Sequence, residues 1–315
     1  MHKILMTYDN TEGLGALFSN KEFKVEIHNK PSQEELKELI KEYDGLLIRS
    51  EVKVTKEIIE AAQKLKFIGR AGTGVDNIDK ETATEKGIIV ANVPGGNTIS
   101  ATEHTIGLML SLARHIPEAY KSLKNKKWDR KNYVGTELFG KTLGLIGLGR
   151  IGTEVAKRLN AFGMKVIAYD PFANQETAKN NNIELKTIDE VFAQSHYISI
   201  HSPLNDSTRG MINAQAIKKM KDGVRIINCA RGAIINEKDL SDAIKSGKVA
   251  GAAIDVFAKE PPQDWTLIET DHTVVTPHLA ASTDEAQVRV AKEIGEVLVD
   301  FFTKAIVRNA VNAKK

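Results

Sequence analysis

Three residues in the last third of the sequence carry the functional groups that the oxidation of an alcohol requires. They are Arg231 in the segment NCARGA, Glu260 in IDVFAKEPP and His278 in TPHLAAST. A histidine can accept the hydroxyl proton, a carboxylate can orient that histidine, and a guanidinium can bind a substrate carboxylate through two parallel hydrogen bonds. Each residue follows a predicted strand, and these strands are Val224–Asn228, Val249–Ile254 and Thr273–Thr276. Because ligands bind at the carboxyl ends of strands in open parallel sheets, we expect the three side chains to converge.

These assignments have plain structural alternatives. Arg231 would then be a surface charge, and Glu260 would be a turn carboxylate before two prolines. Two other residues with reactive side chains are themselves expected to be structural. His104 lies on an apolar helix and should be a satisfied core residue. Cys229 should be a small buried residue, because the oxidation of an alcohol needs no thiol nucleophile.

A glycine motif predicts the binding site of a dinucleotide that would accept the hydride. Gly147, Gly149 and Gly152 have the G-x-G-x-x-G spacing between a predicted strand, Thr142–Ile146, and a predicted helix, Arg150–Phe162. The first glycine permits a sharp turn, the second leaves room for the pyrophosphate, and the third lets the helix approach the strand. The N–H groups at the start of the helix would bind the phosphates.

An acidic residue at the end of the next predicted strand selects the cofactor. Asp170 follows the strand Lys165–Tyr169, about 20 residues after the glycines, where a carboxylate can accept both ribose hydroxyls. It would repel the 2′-phosphate of NADP, and the next residues, Pro171 and Phe172, supply no arginine to reverse this preference. The sequence therefore predicts NAD.

Apolar runs alternate with amphipathic segments on both sides of the glycine motif. The other predicted strands are Ile4–Tyr8, Val25–His28, Gly45–Ile48, Phe67–Arg70, Ile88–Asn92 and His196–Ile200. The other predicted helices are Ser32–Glu42, Thr55–Lys64, Asn97–Arg114, Ala214–Lys219, Glu237–Ser246 and Thr283–Phe302. This alternation predicts an α/β protein with two doubly wound parallel-sheet domains. We expect a dinucleotide-binding domain at 97–283 and a discontinuous substrate domain at 1–96 and 284–315.

The composition excludes several other classes of protein. The chain has 315 residues, a formal net charge of +3 and one cysteine. Such a small charge does not favour nucleic-acid binding, and a single cysteine gives neither a disulfide framework nor a cysteine-based zinc site. No apolar run reaches the length of a membrane span, and the N-terminus lacks the pattern of a signal peptide. We expect a cytoplasmic protein with no metal site.

Several blocks of sequence, in one order, resemble the D-isomer-specific 2-hydroxyacid dehydrogenases. Besides the glycine motif, these blocks are RAGTGVDNID (Arg70–Asp79), VPGGNTISATEHTIGLML (Val93–Leu110), NCARGAIINE (Asn228–Glu237), AIDVFAKEPP (Ala253–Pro262) and TPHLAASTDEAQ (Thr276–Gln287). The resemblance covers nearly the whole chain. It implies a Rossmann-type nucleotide-binding domain, a flavodoxin-like substrate domain and NAD as the cofactor.

The resemblance also implies roles for individual residues. His278 matches the acid/base of the family, Glu260 its carboxylate partner, and Arg231 the arginine that binds the substrate carboxylate. The family's cofactor contacts fall on the three glycines, on Asp170, and on Thr73, Arg150, Ile151, Ser202, Pro203, Cys229, Asp255 and Ala280.

The resemblance implies that the substrate is a phosphorylated 2-hydroxy acid, D-3-phosphoglycerate, which is oxidised in serine biosynthesis. The residues expected to bind it are Arg49, Arg70, Thr73, Gly74, Val75, Asn97, Arg130 and Lys131. Arg49 and Arg70 each end a predicted strand where they could reach an anion, and the resemblance implies that Arg130 and Lys131 act in a neighbouring subunit. The alternative for the basic run 124–131 is a solvated lysine-rich face. Enzymes that act on glyoxylate, hydroxypyruvate or D-lactate share the catalytic set but need no phosphate clamp.

The resemblance implies a homodimer, with the helix Asn97–Arg114 in the interface. The sequence ends at Lys315, so we expect no added C-terminal regulatory domain and no inhibition by serine through such a domain. Some relatives with this fold are NAD-sensing co-repressors that bind peptides, and the motifs alone do not separate them from enzymes. The arginines near the predicted site and the absence of long flanking segments favour an enzyme.

Overall fold

The computed structural model describes residues 1–313, and the chain forms two compact units within it. The first unit contains Met1–Asn97 and the segment that begins at Ser282, and the second contains Thr98–Ala281. The predicted substrate domain extends to Lys315, but Lys314 and Lys315 lie outside the described residues.

The first unit is a five-stranded parallel sheet with helices on both faces. Its strands are β1 (His2–Met6), β2 (Phe23–Ile27), β3 (Gly45–Ile48), β4 (Phe67–Arg70) and β5 (Ile89–Ala91). Its early helices are α1 (Gly15–Phe18), α2 (Gln33–Leu39), α3 (Lys56–Ala61) and α4 (Lys80–Glu85), and a 3-10 turn, Ile40–Glu42, extends α2. The strand order β2-β1-β3-β4-β5 is the flavodoxin-like order, which confirms the predicted fold class.

Both faces of this sheet are buried, which explains the continuous apolar runs of its strands. On β1, Ile4 and Met6 pack in one core cluster while Leu5 between them packs in the other. Ser32 caps α2 through a capping box with Glu35, as its sequence predicts. The strand β1 ends at Met6, two residues before the predicted end at Tyr8.

The second unit is a seven-stranded parallel sheet. Its strands are β6 (Thr142–Ile146), β7 (Lys165–Tyr169), β8 (Ile183–Leu185), β9 (Tyr197–Ile200), β10 (Val224–Asn228), β11 (Val249–Ile254) and β12 (Thr273–Val275). Its helices are α5 (Thr98–Arg114), α6 (Ile116–Lys124), α7 (Arg150–Ala161), α8 (Gln175–Asn180), α9 (Ile188–Gln194), α10 (Ala214–Lys219) and α11 (Glu237–Lys245), with 3-10 turns at Arg130–Tyr133 and Gly232–Ile234. The order β12-β11-β10-β9-β6-β7-β8 is that of a Rossmann sheet with one added edge strand. Its switch point, where ligands bind in such sheets, lies between the neighbouring strands β6 and β9.

The long helix α5 belongs to the core of the second unit. Its side chains Ile106, Met109 and Leu112 pack in the same buried cluster as Leu145 of β6 and Val155 of α7. The apolar side of α5, the helix expected in the dimer interface, is therefore covered within its own unit.

A second helix, α6, follows α5 and was not predicted from the sequence. His115 separates the two helices with a left-handed φ of 54°, and Pro117 lies in the first turn of α6. A proline in the first turn starts a helix as readily as a proline after a helix marks its end. The side chains of Ile116, Tyr120 and Leu123 on α6 are exposed.

The chain returns to the first unit through α12 (Asp284–Lys304). Ile294 and Leu298 of α12 pack in the core of that sheet. The segment after α12 then pairs with the edge strand β5, where Ala310 forms an antiparallel bridge with Ala91. Within residues 1–313, no helix combines the length and apolar character needed to cross a membrane.

Candidate active site

His278 and Glu260 form a hydrogen-bonded pair at the carboxyl edge of the second sheet. The His278 Nδ1 atom lies 2.7 Å from Glu260 Oε2, and Glu260 Oε1 accepts a hydrogen bond of 3.0 Å from the Phe257 N–H. Burial alone would raise the pKa of Glu260, but the hydrogen bonds from His278 and Phe257 outweigh it and the pKa is lowered. Glu260 is therefore a carboxylate at neutral pH, and it fixes the ring orientation of His278.

Asp255 at the end of β11 holds the loop that carries His278. Its fully buried carboxylate accepts hydrogen bonds from the N–H groups of Leu279 (2.7 Å) and Ala280 (2.9 Å) and from the Thr276 hydroxyl (2.6 Å). Its carbonyl oxygen accepts a hydrogen bond of 2.8 Å from the His278 N–H. These bonds stabilise His278 in a left-handed conformation with a φ of 56°, which is unfavourable for a non-glycine residue.

His104 of α5 contacts the residues that hold this loop. Its Nε2 atom lies 3.2 Å from Asp255 Oδ1 and 3.0 Å from Thr276 Oγ1. Because the Thr276 hydroxyl donates to Asp255, its oxygen is free to accept from an Nε2–H of His104. His104 is therefore satisfied as expected, but it is partly exposed and not a core residue, and its partners were not predicted.

Arg231 follows β10, the strand beside β11, so Arg231, Glu260 and His278 follow three adjacent strands at one edge. The Arg231 Nη1 donates a hydrogen bond of 2.8 Å to the Ala230 carbonyl, and the Arg231 carbonyl accepts one of 2.9 Å from Asn228. The next residue, Gly232, touches the loop of Glu260, since a Cβ there would lie 1.9 Å from the Phe257 carbonyl carbon. Contact between His278 and Glu260 is thus direct, while the loop of Arg231 packs against the loop of Glu260 through Gly232.

The glycine turn between β6 and α7 has the space that a dinucleotide needs. Gly147 has a φ of 97°, and a Cβ on it would lie 2.7 Å from the His201 carbonyl. A Cβ on Gly152 would lie 2.4 Å from the Gly147 oxygen, whereas a Cβ on Gly149 would meet no heavy atom of the described chain within 4 Å, its sequence neighbours aside. The first and third glycines are thus required by the fold, and the second leaves open space at the start of α7. This arrangement fits a pyrophosphate.

Asp170 lies at the end of β7, beside the glycine turn. Its Oδ2 accepts a hydrogen bond of 2.7 Å from the Leu148 N–H within the turn, and its Oδ1 accepts one of 2.8 Å from the Phe172 N–H. The carboxylate is only partly buried. The first two residues of α7, Arg150 and Ile151, follow the open glycine directly.

The loop after β9 and the start of the loop after β10 lie on the other side of the switch point. The Ser202 hydroxyl donates 3.0 Å to the Ile146 carbonyl at the end of β6, and Pro203 after it is exposed. Burial lowers the pKa of His201 to about 4, so this histidine is neutral beside the Ser199 hydroxyl. Burial raises the pKa of the Cys229 thiol to about 12, which agrees with the expected inert role.

In the first unit, the residues expected to bind substrate lie at the carboxyl edge of its sheet. Arg49 follows β3 directly, and Arg70 is the last residue of the adjacent strand β4. The guanidinium of Arg70 lies over Gly72, where a Cβ would come within 1.6 Å of Nη1. The Thr73 hydroxyl lies 3.0 Å from the Val93 carbonyl and 2.8 Å from Asn97 Oδ1, and Gly74 and Val75 beside it are partly exposed.

Arg130 and Lys131 belong to the second unit. Both belong to the 3-10 turn Arg130–Tyr133 and are exposed. Among residues 1–313, no group of three or more His, Cys, Asp or Glu side chains is arranged to hold a metal ion.

The chain belongs to the D-isomer-specific 2-hydroxyacid dehydrogenases. Residues 106–280 match the NAD-binding domain of this family. The family resemblance and the prediction of NAD are confirmed. Since the open turn at Gly149 and the carboxylate of Asp170 fit this cofactor, the second unit has both the residues and the space to bind it.

Several relatives and solved structures resemble the chain over most of its length. The chain is 51% identical to D-3-phosphoglycerate dehydrogenase of Archaeoglobus fulgidus over 290 residues, which is 92% of this chain and 55% of that protein. The crystal structure of a glyoxylate reductase from Paecilomyes thermophila has a TM-score of 0.90 at 30% identity and 98% coverage of both chains. D-lactate dehydrogenase from Aquifex aeolicus, solved with NAD and lactic acid, has a TM-score of 0.85 at 27% identity, covering 99% of this chain and 100% of that one. The chain thus spans about half the length of the curated phosphoglycerate dehydrogenases that it matches.

Proposed function

We propose that the protein oxidises D-3-phosphoglycerate to 3-phosphohydroxypyruvate with NAD. The observation that carries this proposal is the His278–Glu260 pair, 2.7 Å apart, at the carboxyl edge of the NAD-binding sheet. The choice of substrate is supported by the relatives of about 50% identity, which are D-3-phosphoglycerate dehydrogenases.

The contact between His278 and Glu260 supports a definite assignment of the proton acceptor. Because the carboxylate of Glu260 accepts a hydrogen bond from Nδ1–H, the second ring nitrogen, Nε2, keeps its lone pair. We propose that His278 Nε2 takes the proton of the C2 hydroxyl and returns it in the reverse reaction. Bound NAD supplies the acceptor for the hydride that leaves C2. Arg231 would bind the substrate carboxylate and so orient C2.

Separate groups are proposed to hold the cofactor. The N–H groups after Gly149, with Arg150 and Ile151, would bind the pyrophosphate, and Asp170 would accept the ribose hydroxyls. The nicotinamide half would lie against residues of the loops after β9, β10, β11 and β12. These residues are Ser202, Pro203, Cys229, Asp255 and Ala280. Thr73 is proposed as a further cofactor contact.

The first unit is proposed to be the substrate domain, at 1–96 and 284–315, and 97–283 the dinucleotide-binding domain. The N–H groups of Gly74 and Val75, beside Thr73, would bind the substrate carboxylate. Arg49 and Arg70 would bind the phosphate, and Asn97 would donate a further hydrogen bond.

We also propose that the protein is a homodimer through its second unit. The support is the exposed apolar face of α6, where Ile116, Tyr120 and Leu123 are 52%, 65% and 58% exposed at helical spacing. Trp128, also exposed at 79%, lies after α6 in the basic run 124–131. Arg130 and Lys131 would then act on the substrate of the neighbouring subunit.

A parallel substrate assay tests the activity. Purified protein is mixed with NAD and either 3-phosphoglycerate, D-glycerate or D-lactate, and the absorbance of reduced nicotinamide is followed. The proposal expects the highest kcat/KM with 3-phosphoglycerate. Faster turnover of either unphosphorylated acid would contradict the choice of substrate but not the class of reaction.

A second candidate function is the reduction of glyoxylate or hydroxypyruvate. The similarity to the solved glyoxylate reductase favours it. Consumption of NADH with glyoxylate, at a kcat/KM above that for 3-phosphohydroxypyruvate, would establish this alternative. Absence of turnover with every 2-hydroxy and 2-oxo acid, despite NAD binding, would favour the third reading, an NAD-sensing binding protein.

A further inference from the structure

A tyrosine and an arginine of the first unit have three buried hydrogen-bond donors that find no acceptor within residues 1–313. Tyr8 lies two residues after β1, and its side chain is almost completely buried at 4% exposure. Its hydroxyl, and the Nε and Nη2 atoms of Arg49, are buried and have no hydrogen-bond partner within residues 1–313. Most buried polar atoms of native proteins are paired, so a cluster of three unused donors requires an explanation.

The surroundings of Arg49 leave one edge of its guanidinium unused. Its Nη1 donates a hydrogen bond of 3.0 Å to Gln287 Oε1, and its backbone carbonyl accepts one of 3.0 Å from Asn77. Its central carbon lies 4.7 Å from the centre of the Tyr8 ring, which holds the guanidinium by a cation–π contact. The atoms Nε and Nη2 share one edge of this planar group, and that edge presents two parallel N–H bonds. Arg49 is thus fixed on one side and offers a fork on the other.

The chemistry of the three donors selects an oxyanion. All of them donate hydrogen bonds, and the arginine adds a fixed positive charge. Burial raises the pKa of Tyr8, although the charge of Arg49 opposes this. The phenol therefore stays protonated and can donate a hydrogen bond to a bound anion. Tyr8 and Arg49 follow the adjacent strands β1 and β3, and Arg70 is the last residue of the next strand, β4. The donors therefore lie at the same edge of the sheet as the second arginine.

We propose that the Tyr8 hydroxyl is a specificity-determining donor that binds the substrate phosphate together with the Nε–Nη2 edge of Arg49. The inference rests on the proposed function, which supplies a phosphorylated substrate. A phosphate monoester has three terminal oxygens, enough to accept the fork of Arg49 and a separate bond from Tyr8. A carboxylate has only two oxygens. In the proposed function, the substrate carboxylate is bound by Arg231 and by the N–H groups of Gly74 and Val75.

The substitution Tyr8→Phe tests this assignment because it removes one oxygen and keeps the ring under Arg49. The loss of a hydrogen bond to a charged group predicts that the ratio of kcat/KM for 3-phosphoglycerate to kcat/KM for D-glycerate falls about tenfold or more. The loss should be mainly in KM for 3-phosphoglycerate. The control is Tyr43→Phe in the same unit, where the ring is also buried but the hydroxyl donates to Glu26. This control should leave the substrate ratio unchanged.

Thermal unfolding separates a ligand role from a structural one. Since the Tyr8 hydroxyl has no partner in the described chain, Tyr8→Phe should leave Tm unchanged or raise it in the absence of ligand. A clear fall in Tm, or an equal loss with both substrates, would overturn the proposal. An unchanged substrate ratio would overturn it as well.

Direct binding of inorganic phosphate separates failure of this inference from failure of the proposed function. If the wild-type protein does not oxidise 3-phosphoglycerate, the proposed function is wrong. Calorimetry with inorganic phosphate still tests Tyr8 in that case. A Kd about tenfold higher for Tyr8→Phe than for wild type supports the anion site, and equal Kd values reject it.

Discussion

At the scale of single residues, the direction of the His278 ring decides which nitrogen can act as a base. Glu260 occupies the Nδ1 side at 2.7 Å, and the backbone of His278 is held in a left-handed conformation by Asp255. The side chain of His278 is nevertheless 46% exposed, so its other nitrogen can be reached by a substrate. An ordered backbone and an accessible ring are the combination that general base catalysis requires.

The substitution His278→Ala should lower kcat about 10²–10⁴-fold, the usual contribution of a general base. Affinity for NAD should stay near the wild-type value, because the glycine turn and Asp170 do not contact His278. Steady-state kinetics give kcat, and quenching of protein fluorescence gives the affinity for NADH. The exposed His28 of the first unit is the control, and His28→Ala should behave as wild type. A kcat within a few-fold of wild type for His278→Ala would exclude His278 as the base.

The substitution Glu260→Gln should change the pH dependence of the reaction. The pKa of Glu260 is lowered, so the group is negatively charged throughout the assay range and favours a protonated neighbour. In the direction of oxidation, kcat/KM is followed against pH. Without the carboxylate charge, this profile should be displaced from that of the wild type, and its plateau should fall.

A second glutamate provides the matched control for this experiment. Glu237 accepts a hydrogen bond of 2.7 Å from the Ala258 N–H and so supports the same loop without contacting His278. Glu237→Gln is therefore expected to reduce activity at most, with no displacement of the pH profile. If both variants keep the wild-type profile, Glu260 does not act on the base.

At the scale of elements, the three glycines of the turn before α7 have different tasks. The chain itself crowds Gly147 and Gly152, while the space in front of Gly149 is open. Gly149 also has an ordinary backbone conformation, with a φ of −74°, so a side chain can be placed there without strain. The fold thus does not require a glycine at this position, whereas a pyrophosphate bound as proposed would require one.

The substitution Gly149→Val should therefore raise KM for NAD about tenfold or more, equal to a loss of about 1.4 kcal/mol or more of binding. The free energy of unfolding without NAD should change by less than about 1 kcal/mol. Gly152→Val is the opposite case, because its Cβ would lie 2.4 Å from the Gly147 oxygen and should destabilise the unit by about 1–3 kcal/mol or more. Chemical denaturation and NAD titration of both variants measure the contrast. Normal NAD affinity in Gly149→Val would place the pyrophosphate elsewhere.

Local patterns in the sequence were sufficient to predict most elements. The strands β3, β4, β6, β7, β10 and β11 and the helix α10 have the predicted bounds, because each is a short apolar or amphipathic run between polar or glycine residues. The helix α6 was not predicted, because a proline such as Pro117 just after a helix can mark either its end or the first turn of another helix. The end of β1 was placed two residues late, so Tyr8 was counted as part of the strand.

The site was predictable where its parts are close in sequence and unpredictable where they are distant. The glycine turn and Asp170 lie in one strand–helix–strand unit, so spacing alone predicted their arrangement. His104 instead meets Asp255 and Thr276, which are 151 and 172 residues away. Arg49 likewise meets Gln287 across 238 residues. No short pattern encodes such contacts, and they became visible only through the fold.

At the scale of the whole molecule, alternation of strands and helices predicted two parallel sheets, but strand order needed the structure. Each sheet has its switch point beside its first strand, with β1 between β2 and β3 and β6 between β7 and β9. In both units the residues proposed to act on ligands follow strands at the carboxyl edge. The residues proposed to bind ligands or to catalyse the reaction therefore lie at strand ends, while the strands themselves are apolar.

The exposed apolar face of α6 gives the remaining prediction, that the protein is a dimer in solution. Light scattering after size-exclusion chromatography should give twice the mass of one chain. The double substitution Tyr120→Asp with Leu123→Asp places two charges on this face, and it should give a monomer because unpaired charges are costly to bury. Phe18→Asp is the control, since Phe18 is similarly exposed at 45% but lies on α1 of the first unit, and it should remain dimeric. A dimer that survives the double substitution would place the interface on another surface, and a wild-type monomer would remove any role of Arg130 and Lys131 in a neighbouring subunit.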